Sequence, residues 1–238
     1  MAEPILKVEH ADLGYGELQV VFDVSLEVGP TELIGLVGGN GSGKSTMLRA
    51  ISGMLEPWKG KVIFHGQDIT GLKPHQIAAI GIAHIPMGRQ LFADMTVEDN
   101  LSLGAYLPGA RQKRKESFER VYGLFPDLMT KRKAMAGSLS GGQQQMVAIA
   151  RGLMLDPKMI LMDEPSLGLS PLLVKEVMQA IRIVSQTGLP ILLVEQNVKQ
   201  VLNVSDRAYV LENGHLVVEG PSKALMDDQR VKKAYLGL

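Results

Sequence analysis

At 238 residues, with 45% hydrophobic and 21% charged side chains, the chain is long enough to bury a sizeable core and has an ordinary globular composition. Lys+Arg and Asp+Glu each number 25, so the formal charge is 25 − 25 = 0, and no global field favours nucleic acid as a partner. Cysteine is absent, which excludes disulfides, thiolate metal sites and thiol nucleophiles and fits a reducing compartment.

The first ten residues carry Glu3, Pro4, Lys7 and Glu9 and so lack the apolar core of a signal peptide. No apolar run approaches the length of about 18 residues that a membrane helix needs, so the expectation is a soluble chain whose membrane role comes through a partner. Residues 5–13 and 20–28 read as strands. In the second, Val20, Phe22, Val24, Leu26 and Val28 alternate with Val21, Asp23, Ser25 and Glu27. Between them Gly14-Tyr15-Gly16 reads as a turn whose aromatic ring either lies on a purine face or packs on its own sheet.

An apolar strand at 33–37 then runs into Gly38-Gly39-Asn40-Gly41-Ser42-Gly43-Lys44-Ser45 and a helix-forming run to Ile51. Gly, four free positions, then Gly-Lys-Ser between a strand and a helix is the pattern of a phosphate-binding loop. Its glycines let the backbone turn N–H groups into one concavity that can cradle a triphosphate. The helix N-terminus adds partial positive charge, Lys44 can reach the terminal phosphates, and the Ser45 hydroxyl suits Mg²⁺.

Beyond this loop, 61–65 reads as a strand, 74–80 as a short helix and 82–85 as a strand ending at Pro86. The segment 96–135 changes to helical patterning, opened by a Thr96/Asp99 capping box and broken at Pro108-Gly109 and Pro126, so about 90–137 is predicted to be a helical insertion. Its basic clusters, Arg111 to Lys115 and Lys131 to Lys133, are read as solvated faces or as a docking surface.

Leu139-Ser140-Gly141-Gly142-Gln143 precedes a helix predicted over 144–154, and Ser-Gly-Gly there is either an N-cap or a second anion site. Residues 159–164 form an apolar strand that ends in Asp163 and Glu164, at the strand end where a Mg²⁺-nucleotide binds in such folds. Asp163 is expected to orient a metal-bound water. Glu164, pointing the other way along the strand, is expected to activate the attacking water. Strands at 191–194, 208–211 and 215–218, with helices at 171–185 and 197–202, complete an α/β pattern with a mainly parallel sheet covered on both faces.

The phosphate loop at 38–45, Leu-Ser-Gly-Gly-Gln at 139–143 and the apolar strand ending Asp163-Glu164, in this order, resemble the nucleotide-binding subunits of ABC transporters over essentially the whole chain. Ile-Leu-Leu-Val-Glu-Gln-Asn at 191–197, Ala-Tyr-Val-Leu-Glu-Asn-Gly at 208–214 and Lys-Lys-Ala-Tyr-Leu-Gly at 232–237 look like the ATPase subunit of branched-chain amino-acid importers. The resemblance implies one nucleotide-binding domain over 1–238: a P-loop NTPase core with an antiparallel β subdomain and the helical insertion. It implies ATP and Mg²⁺ as ligands, with ATP contacts from Tyr15, Gly38, Gly39, Asn40, Gly41, Ser42, Gly43, Lys44, Ser45 and Thr46. Ser45 and Asp163 would hold the metal, and Glu164, Lys44 and Gln196 would serve catalysis. Leu139, Ser140, Gly141, Gly142 and Gln143 would face a partner's ATP, and 166–169 would cross the dimer interface.

The partners implied are membrane-spanning permease subunits touching the helical insertion, a second ABC ATPase subunit in a homo- or heterodimer and, indirectly, an external solute-binding protein. The place implied is the cytoplasmic face of the membrane. Two positions depart from the wider family's pattern: Gln196 stands where a histidine is usual, and Met87 where an oxygen-bearing Gln or Glu is usual. A thioether is a poor Mg²⁺ ligand, so the metal role does not carry over to Met87, and a heterodimer is the expected assembly. A non-transport ABC ATPase and a P-loop kinase or GTPase are the other classes, and another small polar solute is the alternative cargo. The first usually adds coiled coils, zinc motifs or basic surfaces, none visible here, and the 139–143 signature argues against the second.

Overall fold

The computed structural model describes residues 3–233, so 234–237 of the closing Lys-Lys-Ala-Tyr-Leu-Gly stretch lie outside the described residues. The chain opens with β1 (Leu6–Tyr15) and β2 (Leu18–Val28), paired antiparallel from Leu6↔Val28 to Tyr15↔Leu18. Tyr15 thus ends a strand rather than centring a turn. Gly14 does not break the ladder because its bare Cα is pressed on by a neighbour: a Cβ there would stand 2.4 Å from the Trp58 ring. After β3 (Leu33–Val37), β4 (Lys59–Phe64) and β5 (Gln67–Asp68) return to this unit and complete a four-stranded antiparallel sheet in the order β2-β1-β4-β5.

The second sheet takes β3, β6 (Ile82–Ile85), β7 (Met159–Asp163), β8 (Ile191–Glu195), β9 (Arg207–Glu212) and β10 (His215–Pro221) in the order β10-β9-β3-β8-β7-β6. Every neighbouring pair is parallel except β9 with β10. Its central strands are continuous apolar runs because both faces are covered. Leu33, Val37, Ile160, Met162, Ile191 and Leu193 enter one hydrophobic core. Ile34, Leu36, Met159, Leu161, Leu192 and Val194 enter the other.

The second core is shared with the antiparallel sheet, α1 (Lys44–Ile51) and α2 (Pro74–Ile80). Helices cover the first: α3 (Val97–Gly104), α4 (Pro108–Gln112), α5 (Arg114–Leu124), α6 (Pro126–Thr130), α7 (Gly141–Leu153), α8 (Pro171–Ser185), α9 (Val198–Val204) and α10 (Ser222–Asp227). Pro108 and Pro126 open helices as well as ending the preceding ones, since a fixed φ and a missing N–H cost nothing at a first helical position. The helix predicted from 144 begins at Gly141 because Ser140 caps it. The Gln143 N–H donates to Ser140 Oγ at 3.4 Å and the Ser140 N–H to Gln143 Oε1 at 3.2 Å.

The loop entering α3 is tied down by Asn100, which is fully buried. Its Oδ1 accepts from the Phe92 N–H at 3.0 Å while its Nδ2 donates to the Phe92 and Thr96 carbonyls, each at 3.0 Å. Replacing Asn100 with Ala removes the acceptor that the Phe92 N–H has among the described residues and leaves a cavity at a fully buried position, at a cost of roughly 2–3 kcal/mol. Urea unfolding of Asn100→Ala is expected to show that loss; a change below about 0.5 kcal/mol would contradict it.

Candidate active site

The carboxyl ends of β3, β7 and β8 lie along one edge, since the three strands are parallel and in register from Leu33↔Ile191 and Ile160↔Ile191 onward. The phosphate loop leaves β3 at this edge, and its path excludes side chains. A Cβ on Gly38 would stand 2.1 Å from the Leu211 carbonyl, and Gly43 combines φ +103° with a Cβ position 2.7 Å from Val21 Cγ2. The first turn of α1 has no side-chain cap, the condition under which helix N–H groups serve an anion. Beside it the Ser42 hydroxyl is buried with no hydrogen-bond partner among the described residues.

Lys44 is buried at 4% exposure, with Nζ donating to the Gly39 carbonyl at 2.9 Å and lying 3.6 Å from Glu164 Oε1. A buried ammonium between one carbonyl and one carboxylate has donor capacity left for an anion. Together with the orphaned Ser42 hydroxyl and the uncapped helix, it fits the phosphates of a nucleotide.

Asp163 ends β7, and its Oδ1 accepts from the Ser45 hydroxyl at 2.9 Å. Burial pushes its carboxyl above the ordinary range, opposed by the Ser45 hydrogen bond and by the charges of Arg49 and Lys44. Two hard oxygens in one place, one of them destabilised by burial until a cation arrives, fit Mg²⁺. Among the described residues no cluster of three or more His, Asp or Glu surrounds such a point, so remaining ligands would come from phosphate and water.

Glu164 corrects the alternation expected from the sequence. It leaves the strand in the left-handed region at φ +43°, its N–H donating to the Val194 carbonyl at 2.9 Å, and its carboxylate turns back toward Lys44. The two carboxylates therefore share one crevice rather than opposite faces of the sheet. A non-glycine residue held so costs about 1–3 kcal/mol, a cost met at sites where orientation matters.

Tyr15 lies beside α1, 41% exposed, with the Arg49 guanidinium 5.9 Å from its ring centroid. Arg49 Nη1 donates to its hydroxyl at 3.1 Å, and that hydroxyl reaches Thr46 Oγ1 at 3.4 Å. Thr46 is buried, while Gly39, Asn40 and Gly41 are exposed on the outer rim. Gln196 is exposed just past the end of β8. The residue before it escaped attention: Glu195 is buried and accepts the Ser166 N–H at 2.8 Å. Its signal was a carboxylate closing an otherwise apolar strand, as Asp163 does.

The loop after β6 is held by arginines. Arg151 donates to the carbonyls of Gln90 at 2.8 Å and Arg89 at 3.1 Å, and Arg89 Nη1 donates to Gln144 Oε1 at 2.8 Å. Met87 sits on the turn ahead of them, 47% exposed.

The 139–143 segment stands apart from this constellation. Leu139 is buried in the first core, and Gly141 lies against Leu169 and the Arg89 guanidinium. Ser140, Gly142 and Gln143 line a cleft shared with α8 and residues 124–128, and no phosphate-loop residue lines it. Within one chain the segment at 139–143 thus opens on a cleft that the loop at 38–46 does not line.

Comparison with known proteins bears on both. A sequence profile described as ABC transporter matches residues 21–167. The chain is 40% identical over 233 residues to the high-affinity branched-chain amino acid transport ATP-binding protein BraG of Pseudomonas aeruginosa, covering 98% of this chain and 100% of that one. It is 35% identical over 226 residues to the lipopolysaccharide export system ATP-binding protein LptB of Escherichia coli K12, covering 94% and 93%. The crystal structure of the ADP conformation of an ATP-binding cassette of an ABC transporter superposes with a TM-score of 0.86 at 32% identity, covering 100% of both chains.

The exposure of Met87 at the carboxyl edge sets up one test. A thioether makes no oxygen contact with a cation or with the attacking water, and one such contact is worth about 1–2 kcal/mol of barrier, or roughly tenfold in rate. Met87→Glu is therefore expected to raise nucleotide turnover about tenfold with no loss of stability, while Gln90→Ala changes little. A rate within about twofold of wild type would contradict the expectation.

Proposed function

This chain belongs to the ABC transporter family as an ATP-binding subunit that hydrolyses ATP, and we propose that it energises the import of branched-chain amino acids. The convergence of Lys44, Ser45, Asp163 and Glu164 at one crevice carries the hydrolytic part of the reading. The identity with BraG over the whole chain supports the substrate part.

In this account the loop from Gly38 to Ser45 cradles the triphosphate with backbone N–H groups, and Tyr15 lays its half-exposed ring on the adenine. Lys44 compensates charge that develops on the terminal phosphoryl oxygens in the transition state. Mg²⁺, when bound, neutralises phosphate charge, and Ser45 and Asp163 are the side chains that hold it. Glu164 accepts the proton of the attacking water on its carboxylate, and Gln196, at the end of β8, orients the terminal phosphate by its amide.

This chain's Leu139, Ser140, Gly141, Gly142 and Gln143 cover the nucleotide held by a second subunit, with the N-terminus of α7 toward its phosphates, and that subunit's own signature segment covers the nucleotide bound here. Because Gln196 and Met87 replace the histidine and the Gln or Glu usual in the wider family, the second subunit is a related ATPase chain rather than another copy.

Among the described residues no helix is long and apolar enough to cross a membrane, so the permease is separate. We place it on the groove of about 480 Å³ between β6, α2, α3 and α7, where the exposed side chains of Met54, Phe92, Leu103 and Tyr106 meet. That puts the chain on the cytoplasmic face, opposite an external solute-binding protein. The likeness to LptB supports a second reading, the export of lipopolysaccharide.

Isolating the chain from membranes with its co-eluting subunits and placing the complex in proteoliposomes separates the two readings. The expected result is ATP-driven uptake of labelled leucine, isoleucine or valine by a complex holding one further nucleotide-binding chain. Movement of lipopolysaccharide instead would favour the second reading, and two copies of this chain alone would overturn the heterodimer. In the same complex Glu164→Gln is expected to bind ATP normally and to turn it over roughly a hundredfold more slowly. Wild-type turnover in that variant would remove Glu164 from the role of base.

A further inference from the structure

One buried carboxylate at the carboxyl edge has no part in the chemistry above. Glu195 closes β8, where Ile191, Leu192, Leu193 and Val194 are apolar and fully buried, and it is itself 3% exposed. In the parallel pairing of β7 with β8, Asp163 stands opposite Val194, so Glu195 lies level with the point where the chain leaves β7.

The departing turn is fastened there twice. The Glu164 N–H donates to the Val194 carbonyl at 2.9 Å, and two residues on the Ser166 N–H donates to Glu195 Oε1 at 2.8 Å. Consecutive residues of β8, one through its main chain and one through its side chain, thus grip the first and third residues of the turn. Between those two fastenings the chain passes through the left-handed conformation of Glu164, and directly after them Leu167 projects outward at 52% exposure.

A carboxylate is a costly choice for filling space here. Burial pushes the Glu195 carboxyl above its ordinary range and the neighbouring Glu164 adds to this, against hydrogen bonds from Ser166 and the Gln196 main chain. A leucine would fill the volume without that penalty, so the oxygen matters for what it accepts.

We propose that Glu195 is a positioning residue for ATP hydrolysis: by holding the Ser166 main chain it fixes the strained turn that aims Glu164 into the crevice beside Lys44, and it presents Leu167 and Gly168 to the second subunit. The proposal rests on the reading of Glu164 as the base. It separates acceptor from packing, because glutamine keeps a side-chain oxygen for the Ser166 N–H while leucine keeps only bulk.

The test measures ATP turnover against ATP concentration for the complex isolated from membranes, carrying wild-type chain, Glu195→Gln, Glu195→Leu or Glu195→Ala. Misplacement of a catalytic group by about 1 Å can cost up to roughly a hundredfold. Glu195→Leu and Glu195→Ala are therefore expected to lower kcat about thirtyfold or more with KM for ATP within about twofold, and Glu195→Gln to stay within about threefold of wild type. Should Glu195→Leu not fold, Glu195→Ala must show the same split on its own.

Acceptor-free variants that turn over ATP within about twofold of wild type would overturn the inference. So would equal losses in Glu195→Gln and Glu195→Leu, or a loss confined to KM or to thermal stability. A wild-type complex that does not turn over ATP would overturn the ATPase reading and this inference with it. Full turnover in Glu164→Gln beside a thirtyfold loss in Glu195→Leu would instead move the base away from Glu164 and overturn the positioning role as stated.

Discussion

The parallel pairing of β3 with β8 and of β8 with β7 is the constraint on which the site depends. Parallel strands in register end together. The phosphate loop after β3, the Asp163-Glu164 pair after β7 and Glu195-Gln196 after β8 are therefore delivered to one edge by chain direction alone. What holds the three strands in register is burial on both faces. Slipping any one by a residue would exchange the sets of side chains now divided between the two cores, for instance Ile34 and Leu36 against Leu33 and Val37. The precision of the crevice is thus supplied by apolar packing along the strands that lead to it.

At the edge itself the energetics run the other way. Lys44 and Asp163 are buried, each with only part of its bonding capacity met, and the Ser42 hydroxyl is buried with no partner among the described residues. A low-dielectric setting strengthens whatever these groups bind and penalises them when alone. A phosphate and a divalent cation are what would relieve all three at once. The left-handed Glu164 adds conformational strain that the hydrogen bonds to Val194 and from Ser166 to Glu195 offset.

Much of this was legible in the sequence where the determinant is local. Gly38 to Ser45 encode a turn whose glycines and helix start follow from spacing. The elements Pro74–Ile80, Ile82–Ile85 and Pro171–Ser185 fall on the boundaries that periodicity and proline give. What escaped depends on contacts between distant parts of the chain. Strand alternation sent Glu164 to the wrong face because nothing near it in sequence announces that β8 will bend the chain out of the strand. The start of α7 was placed at 144 because Gly141 and Gly142 read as loop, although the Ser140/Gln143 capping box overrides their poor helix propensity. The strand predicted over 191–194 stops one residue short of Glu195, and nothing near it in sequence announces the Ser166 N–H that its carboxylate accepts. The solute is carried by likeness and not by any side chain's chemistry: the stretches at 191–197, 208–214 and 232–237 resemble the ATPase subunit of branched-chain amino-acid importers, and the 40% identity with BraG agrees.

The phosphate loop and the 139–143 segment do not meet within the chain. The phosphate loop lies at the carboxyl edge of the sheet, whereas Ser140, Gly142 and Gln143 open on a cleft bounded by α8 and residues 124–128. In the proposed assembly a second nucleotide-binding subunit brings its own signature segment over the loop. The most direct measurement is a structure of the Glu164→Gln complex with ATP and Mg²⁺. The account predicts phosphates within the Gly38 to Ser45 cradle, the metal on Ser45 and Asp163, and the signature segment of the other subunit against the terminal phosphate. Nucleotide held away from Lys44, or covered by the signature of the same chain, would contradict it.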